Sequence, residues 1–219
     1  MSVKNPERNI WNASHIMVDI ETLGGSPTKS LMASIAAMRF DLLGYEVNPP
    51  VIPDSDYDKM SIVDIDGGIF YKVLNIKDQL AVGREFDVDT LRWWTEKPEK
   101  AAILNQMLTV QPNLNRSLAD QLLQFSDWVK QLKLSRYVYM WAYGNSFDVS
   151  FLEAFYKQYA YPFPFHYQGL MDARTLLQMY ELVSHANFPH REDSRSHHAL
   201  ADVCKQIEYV QRAVAFLKH

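Results

Sequence analysis

The sequence predicts an α/β protein, a mixed β-sheet with helices packed against it. Three observations carry that prediction. β-rich runs come first, at His15–Glu21 and Leu31–Leu43. A strongly amphipathic helix, Ser117–Leu132, follows in the middle of the chain. Beyond it strands alternate with helices, Tyr137–Tyr143 before Phe147–Tyr159 and Gly169–Met171 before a helix capped by Asp172. Strands followed by strand–helix alternation favour one mixed sheet flanked by helices.

Each element has a local reason. His15–Glu21 (HIMVDIE) is rich in β-formers and ends at the turn residues Gly24-Gly25-Ser26-Pro27. Leu31–Leu43 is a second apolar run placed to pair with the first, and Gly44 with Asn48-Pro49-Pro50 stops it. Ile52–Val73 alternates apolar and acidic residues around Gly67-Gly68 and reads as a third strand with a bulge or turn. Short helices are expected over Val88–Trp94 and Pro98–Met107, with Pro98 suited to a first turn. In Ser117–Leu132 the residues Leu118, Leu122, Phe125, Val129 and Leu132 share one face, and Ser117 is a natural N-cap. Asn145 and Ser146 are expected to cap the helix from Phe147 to Tyr159, and Tyr161-Pro162-Phe163-Pro164 ends it. A last helix is expected from about Ser196 to Leu217. The whole chain, 1–219, reads as one domain.

Composition narrows the class. With 219 residues, 47% hydrophobic and 22% charged, the chain can bury a sizeable core and is neither low-complexity nor disordered. The single cysteine, Cys204, forms no internal disulfide and reads as a small buried hydrophobe. MSVKNPERNIWNASH has no apolar leader core, and no apolar run approaches the ~20 residues that cross a bilayer, so a cytoplasmic protein without a membrane partner is expected. A net charge of −4 argues against a polyanion partner unless acidic residues are gathered where cations neutralise them.

Three acidic motifs make that gathering plausible. Asp19 and Glu21 stand two apart on a strand and so project from one face. Two such carboxylates repel unless a cation lies between them, and Mg²⁺ or Mn²⁺ favours oxygen ligands. The same spacing also describes an ordinary solvated strand end. Asp148, in Asn145-Ser146-Phe147-Asp148, falls in a first helical turn, where the positive helix end favours an acid whatever its role. In His197-His198-Ala199-Leu200-Ala201-Asp202 an acid and imidazoles share a helix start. Ideal helical spacing pairs His198, not His197, with Asp202.

Taken in order, DIETLG, NSFDVSFL and HHALADV resemble the three motifs of the DEDD superfamily of 3′–5′ exonucleases, over about His15–Val210. The resemblance implies an RNase H-like fold and hydrolysis of phosphodiesters at the 3′ end of DNA or RNA. It implies two divalent ions, Mg²⁺ or Mn²⁺, held by Asp19, Glu21, Asp148 and Asp202. The pattern H-x-A-x-x-D of its histidine branch (DEDDh, DnaQ-like) implies His197 as the general base, which requires a loop rather than a helix at that residue. Thr90-Leu91-Arg92-Trp93-Trp94 looks like the phage DexA-type and exonuclease VIII-like enzymes. On that reading Trp93 or Trp94 stacks on a terminal base; the alternative, weighted equally, places both indoles in the core, and one in the core with one at the site is a further arrangement. Thr22, Leu23, Asn145 and Phe147, beside the acidic motifs, are the further substrate-contact candidates, Leu23 being equally suited to the core. A homodimer is a further expectation.

Other residues carry less. His166, His185 and His190 lack ligand spacing; Lys29, Lys130, Lys133, Arg136, Arg191 and Arg195 are dispersed bases; Ala186–Ser194 is a polar stretch suited to a flap. Two rivals stand beside the exonuclease reading, an RNase H-like endonuclease and a binding module that has lost catalysis. The presence of all four acids and a histidine speaks against the second.

Overall fold

The computed structural model describes residues 10, 13–43, 52–132, 138–190 and 195–218. The expected stop at Gly44 and Asn48-Pro49-Pro50, the bases Lys133, Arg136 and Arg191, and the end of the expected flap lie outside them. In chain order the elements are β1 (Ser14–Thr22), β2 (Met32–Phe40), α1 (Asp54–Tyr57), β3 (Ser61–Asp64), β4 (Ile69–Val73), α2 (Ile76–Ala81), α3 (Val88–Thr95), α4 (Pro98–Thr109), α5 (Leu118–Gln131), β5 (Val138–Ala142), α6 (Asn145–Gln158), β6 (Leu170–Asp172), α7 (Ala173–Ser184) and α8 (Ala199–Leu217).

Among the described residues the strands form one sheet in the order β3-β4-β2-β1-β5-β6. The first three pairings from the β3 edge are antiparallel, whereas β1–β5 and β5–β6 are parallel. β1 is therefore central and covered on both faces, which is why its middle, Ile16-Met17-Val18, is apolar at successive positions instead of alternating with water-facing residues. Its even positions Ile16, Val18 and Ile20 enter a core with Leu122 and Phe125 of α5 and Phe151 and Phe155 of α6. Its odd position Met17 enters the opposite core with Trp94 of α3 and Leu200, Val203 and Ile207 of α8. Period-two alternation thus sends Asp19 and Glu21 to the α8 face.

Most elements follow their sequence signals. Ser117 Oγ caps α5 by accepting the Asp120 N–H at 3.1 Å, and Asp172 Oδ1 caps α7 by accepting the Thr175 N–H at 2.7 Å. Pro98 opens α4. Three expectations need correcting, and one helix went unread. Ile52–Val73 is not one strand: after α1, β3 and β4 pair as a hairpin, and the glycines form the turn between them. The cap of α6 is Gly144 at φ 115°, so Asn145 and Ser146 are already helical. The last helix starts at Ala199, three residues later than expected. Helix α2, six residues long, has too short a period to be read from its sequence. No helix among the described residues is long and apolar enough to cross a membrane.

Candidate metal centre and nucleic-acid end site

β1 ends in a register shift between Glu21 and Thr22, an irregularity that re-aims side chains at a strand end. Just before it Asp19 and Glu21 point at α8, which carries Asp202 in its first turn. One ligand oxygen from each of Asp19, Glu21 and Asp202 can be chosen so that all lie within 4.8 Å of one another. Asp148 arrives from the first turn of α6, after the parallel strand β5. It lines the same cleft of roughly 210 Å³ as the other three acids, with His197 and Phe147. The cleft lies beyond the carboxyl ends of the parallel strands, where α/β sheets usually bind ligands.

Burial makes this cluster costly without cations. The carboxyls of Asp19 and Glu21 are held well above their ordinary range, first by desolvation and then by the repulsion of the other acids. Burial likewise pushes Asp148 up to about 7, against main-chain hydrogen bonds at Ile20 and at Asp148 itself. Hard divalent cations would remove that repulsion, and an all-oxygen donor set of this kind suits them. The residues fit a metal centre.

Neighbouring groups set the carboxylates. Asp202 Oδ2 accepts the His197 main-chain N–H at 2.7 Å, and Oδ1 pairs with Lys205 Nζ. Gln206, one turn further along α8, donates from Nε2 to Asp19 Oδ1 at 2.7 Å. Its buried Oε1 has no hydrogen-bond partner among the described residues.

The two histidines separate cleanly. His197 sits before the helix at φ 74°, a left-handed conformation that non-glycine residues rarely adopt and that costs about 1–3 kcal/mol. That turn swings the imidazole into the cleft, edge-on to Trp93 with ring centroids 4.7 Å apart. Burial lowers its pKa, opposed by Asp202. His198 is the N-cap of α8, 4% exposed, with Nε2 at 3.2 Å from the Tyr57 carbonyl. Helical spacing favoured His198 only on the assumption that the helix already included it.

The substrate-contact candidates scatter. Phe147 is exposed at the cleft. Trp93 is 36% exposed, whereas Trp94 is 1% exposed and donates from Nε1 to the Thr22 carbonyl at 3.0 Å. Leu23 is fully buried in the α8-side core, and the Thr22 hydroxyl is turned to the Gly24 carbonyl. Asn145 donates its main-chain N–H to Asp172 Oδ2 at 2.7 Å, so Asp172 links α6 and α7 beside the cleft. Thr22, Leu23, Trp93, Trp94 and Asn145 do not themselves line it. Sequence reasoning missed Tyr143, Arg174 and Gln206, which do. Gln206 was readable as the residue four beyond Asp202; Arg174 and Tyr143 had no local signal.

A mixed sheet with acids gathered at its strand ends defines a class, that of α/β domains with a candidate metal centre. Within it the family model described as 3'-5' exoribonuclease Rv2179c-like domain matches residues 14–214, and the chain belongs to that family. Comparison with curated proteins gives no significant match. Among solved structures the chain is similar to a zinc-bound E. coli exonuclease I complex with single-stranded DNA (18% identity, TM-score 0.54, 90% of this chain and 39% of that one). It is also similar to E. coli exonuclease I with a 5cy-dT13 oligonucleotide (16% identity, TM-score 0.56, 94% of this chain and 43% of that one). This chain spans about two fifths of those structures. At such identities the likeness establishes the RNase H-like fold.

Proposed function

We propose that the chain removes mononucleotides from the 3′ end of a single strand, using two divalent ions, Mg²⁺ or Mn²⁺. The observation that carries this reading is the convergence of Asp19, Glu21 and Asp202 within 4.8 Å, with Asp148 and His197 in the same cleft. Asp19, Glu21 and Asp202 would hold one ion, and Asp19 with Asp148 would take part in holding the second. Bound divalent ions would supply charge neutralisation at the phosphodiester and favour the water that attacks it. The chain's own residues do the rest. The His197 imidazole, its pKa lowered by burial, stays neutral near pH 7 and takes the proton of the attacking water. Phe147 and the exposed face of Trp93 offer stacking surfaces to bases of the strand.

The family's description favours RNA as substrate. The tandem Trp93-Trp94, one indole buried and one exposed, supports a place beside the DexA-type enzymes. A single exonuclease domain, a cytoplasmic setting and a homodimer complete the proposal, and light scattering tests the dimer. The deciding experiment is a time course on matched 5′-labelled RNA and DNA oligonucleotides, in Mg²⁺ or Mn²⁺ against EDTA, for wild type and Asp148→Ala. A ladder shortening from the 3′ end, lost in chelator and in the variant, is the expected result. Cutting of closed circles, or undiminished activity in EDTA, would refute it.

A further inference from the structure

Among the described residues Arg174, the second residue of α7, is the one lysine or arginine that lines the acidic cleft. Helix electrostatics do not account for it. A cation in the first turn faces the positive end of the helix, which disfavours it. No carboxylate lies within ion-pair distance of Arg174 among the described residues, so its charge acts on Asp148 only at longer range. Its side chain is exposed, Nη2 donates to the Tyr143 carbonyl at 3.3 Å, and the guanidinium lies 5.2 Å from the Tyr143 ring centroid. One long bond engages one of the five N–H donors a guanidinium carries.

The backbone is shaped to receive this group. Gly144 at φ 115° caps α6, and a Cβ there would meet Arg174 Nη2 at 3.2 Å. The missing side chain lets the guanidinium pass close over the same turn that delivers Asp148. Charge gives the group a purpose. Lys205 is already paired with Asp202, so among the described residues Arg174 is the cation of the lining left without a carboxylate partner to meet the negative charge a phosphodiester brings.

We propose that Arg174 is a substrate-phosphate clamp, whose planar guanidinium binds the non-bridging oxygens of the strand's phosphodiester backbone and sets its position relative to the four carboxylates. This rests on the exonuclease reading above. Guanidinium–phosphate pairs are often bidentate, so they orient as well as attract.

The test uses Arg174→Ala and Arg174→Lys with a 5′-labelled single strand of about ten nucleotides in Mn²⁺, over a series of salt concentrations. Arg174→Ala should lower kcat/KM about 10- to 100-fold, chiefly through KM. Arg174→Lys should recover part of the loss, because it keeps the charge without the fork. The slope of log(kcat/KM) against log salt should become shallower by about 0.7 in the alanine variant, one phosphate contact fewer. The rise in Tm that Mn²⁺ causes in the absence of any strand should match wild type in both variants. Wild-type kinetics and salt slope in Arg174→Ala would overturn the clamp. So would loss of the Mn²⁺ effect on Tm, which would make Arg174 a support of the ion site. A wild-type protein that leaves the strand intact would instead sink the exonuclease reading, and the clamp with it.

Discussion

Asparagine at position 148 would remove one negative charge from a cleft that burial already makes hostile to charge. Asp148 is 5% exposed, and desolvation pushes its carboxyl from the ordinary 3.8 up to about 7. A raised folded-state pKa means that the folded protein holds the proton more tightly than the unfolded chain does. The associated stability is therefore complete below about pH 4 and lost as pH rises through about 7. Roughly 3 pH units at ~1.4 kcal/mol each is about 4 kcal/mol. Since asparagine stands in for the protonated acid, metal-free Asp148→Asn should match wild type near pH 4.5 and exceed it by up to about 4 kcal/mol at pH 8. For a domain of this size that is a Tm difference of about 8–16 °C. Thermal melts in EDTA from pH 4.5 to 8.5 measure it. Millimolar Mn²⁺ should raise the wild-type Tm and narrow the gap, because ligand binding to the native state stabilises it. A difference independent of pH, or a variant less stable at pH 8, would refute the account of a cleft strained by its own acids.

Four further substitutions probe the scaffold and the cleft rim. Gln79 is fully buried; it accepts the Met32 N–H and donates to the Met32 and Asn75 carbonyls, so Gln79→Ala should cost about 2–4 kcal/mol in urea unfolding. Gly144→Ala should cost about 1–3 kcal/mol by the same measurement, because alanine is strained at φ 115°. The two indoles should part company: Trp93→Ala should raise KM about 5- to 100-fold with little change in Tm. Trp94→Ala, which empties a core site and frees the Thr22 carbonyl, should cost about 3–5 kcal/mol of stability.

Much of the fold was legible because its signals are local. The central strand announced itself through HIMVDIE, and α5 through its apolar face and Ser117 cap. The region from Ile52 to Val73 misled because an acidic–apolar alternation describes a hairpin as well as one strand, and only the glycine turn distinguishes them. Gly144 escaped notice as a cap because Asn145 and Ser146 are stronger capping types; the left-handed backbone decided for glycine.

The sequence by itself determined the α/β class and the strand–helix alternation after α5, since periodicity is a property of short stretches, and motif order nominated the four acids. The tertiary structure decided which neighbours those acids have. His197 reaches the cleft because α8 begins at Ala199 and not at Ser196, a boundary set by packing and by the Asp202 carboxylate reaching back to the His197 N–H. Trp94 went inside and Trp93 stayed out because α3 lies on β1 through the Thr22 carbonyl. Gln206 and Arg174 join the site from α8 and α7, far in the chain from Asp19. Such convergence is a matter of long-range burial and charge, which no local pattern encodes.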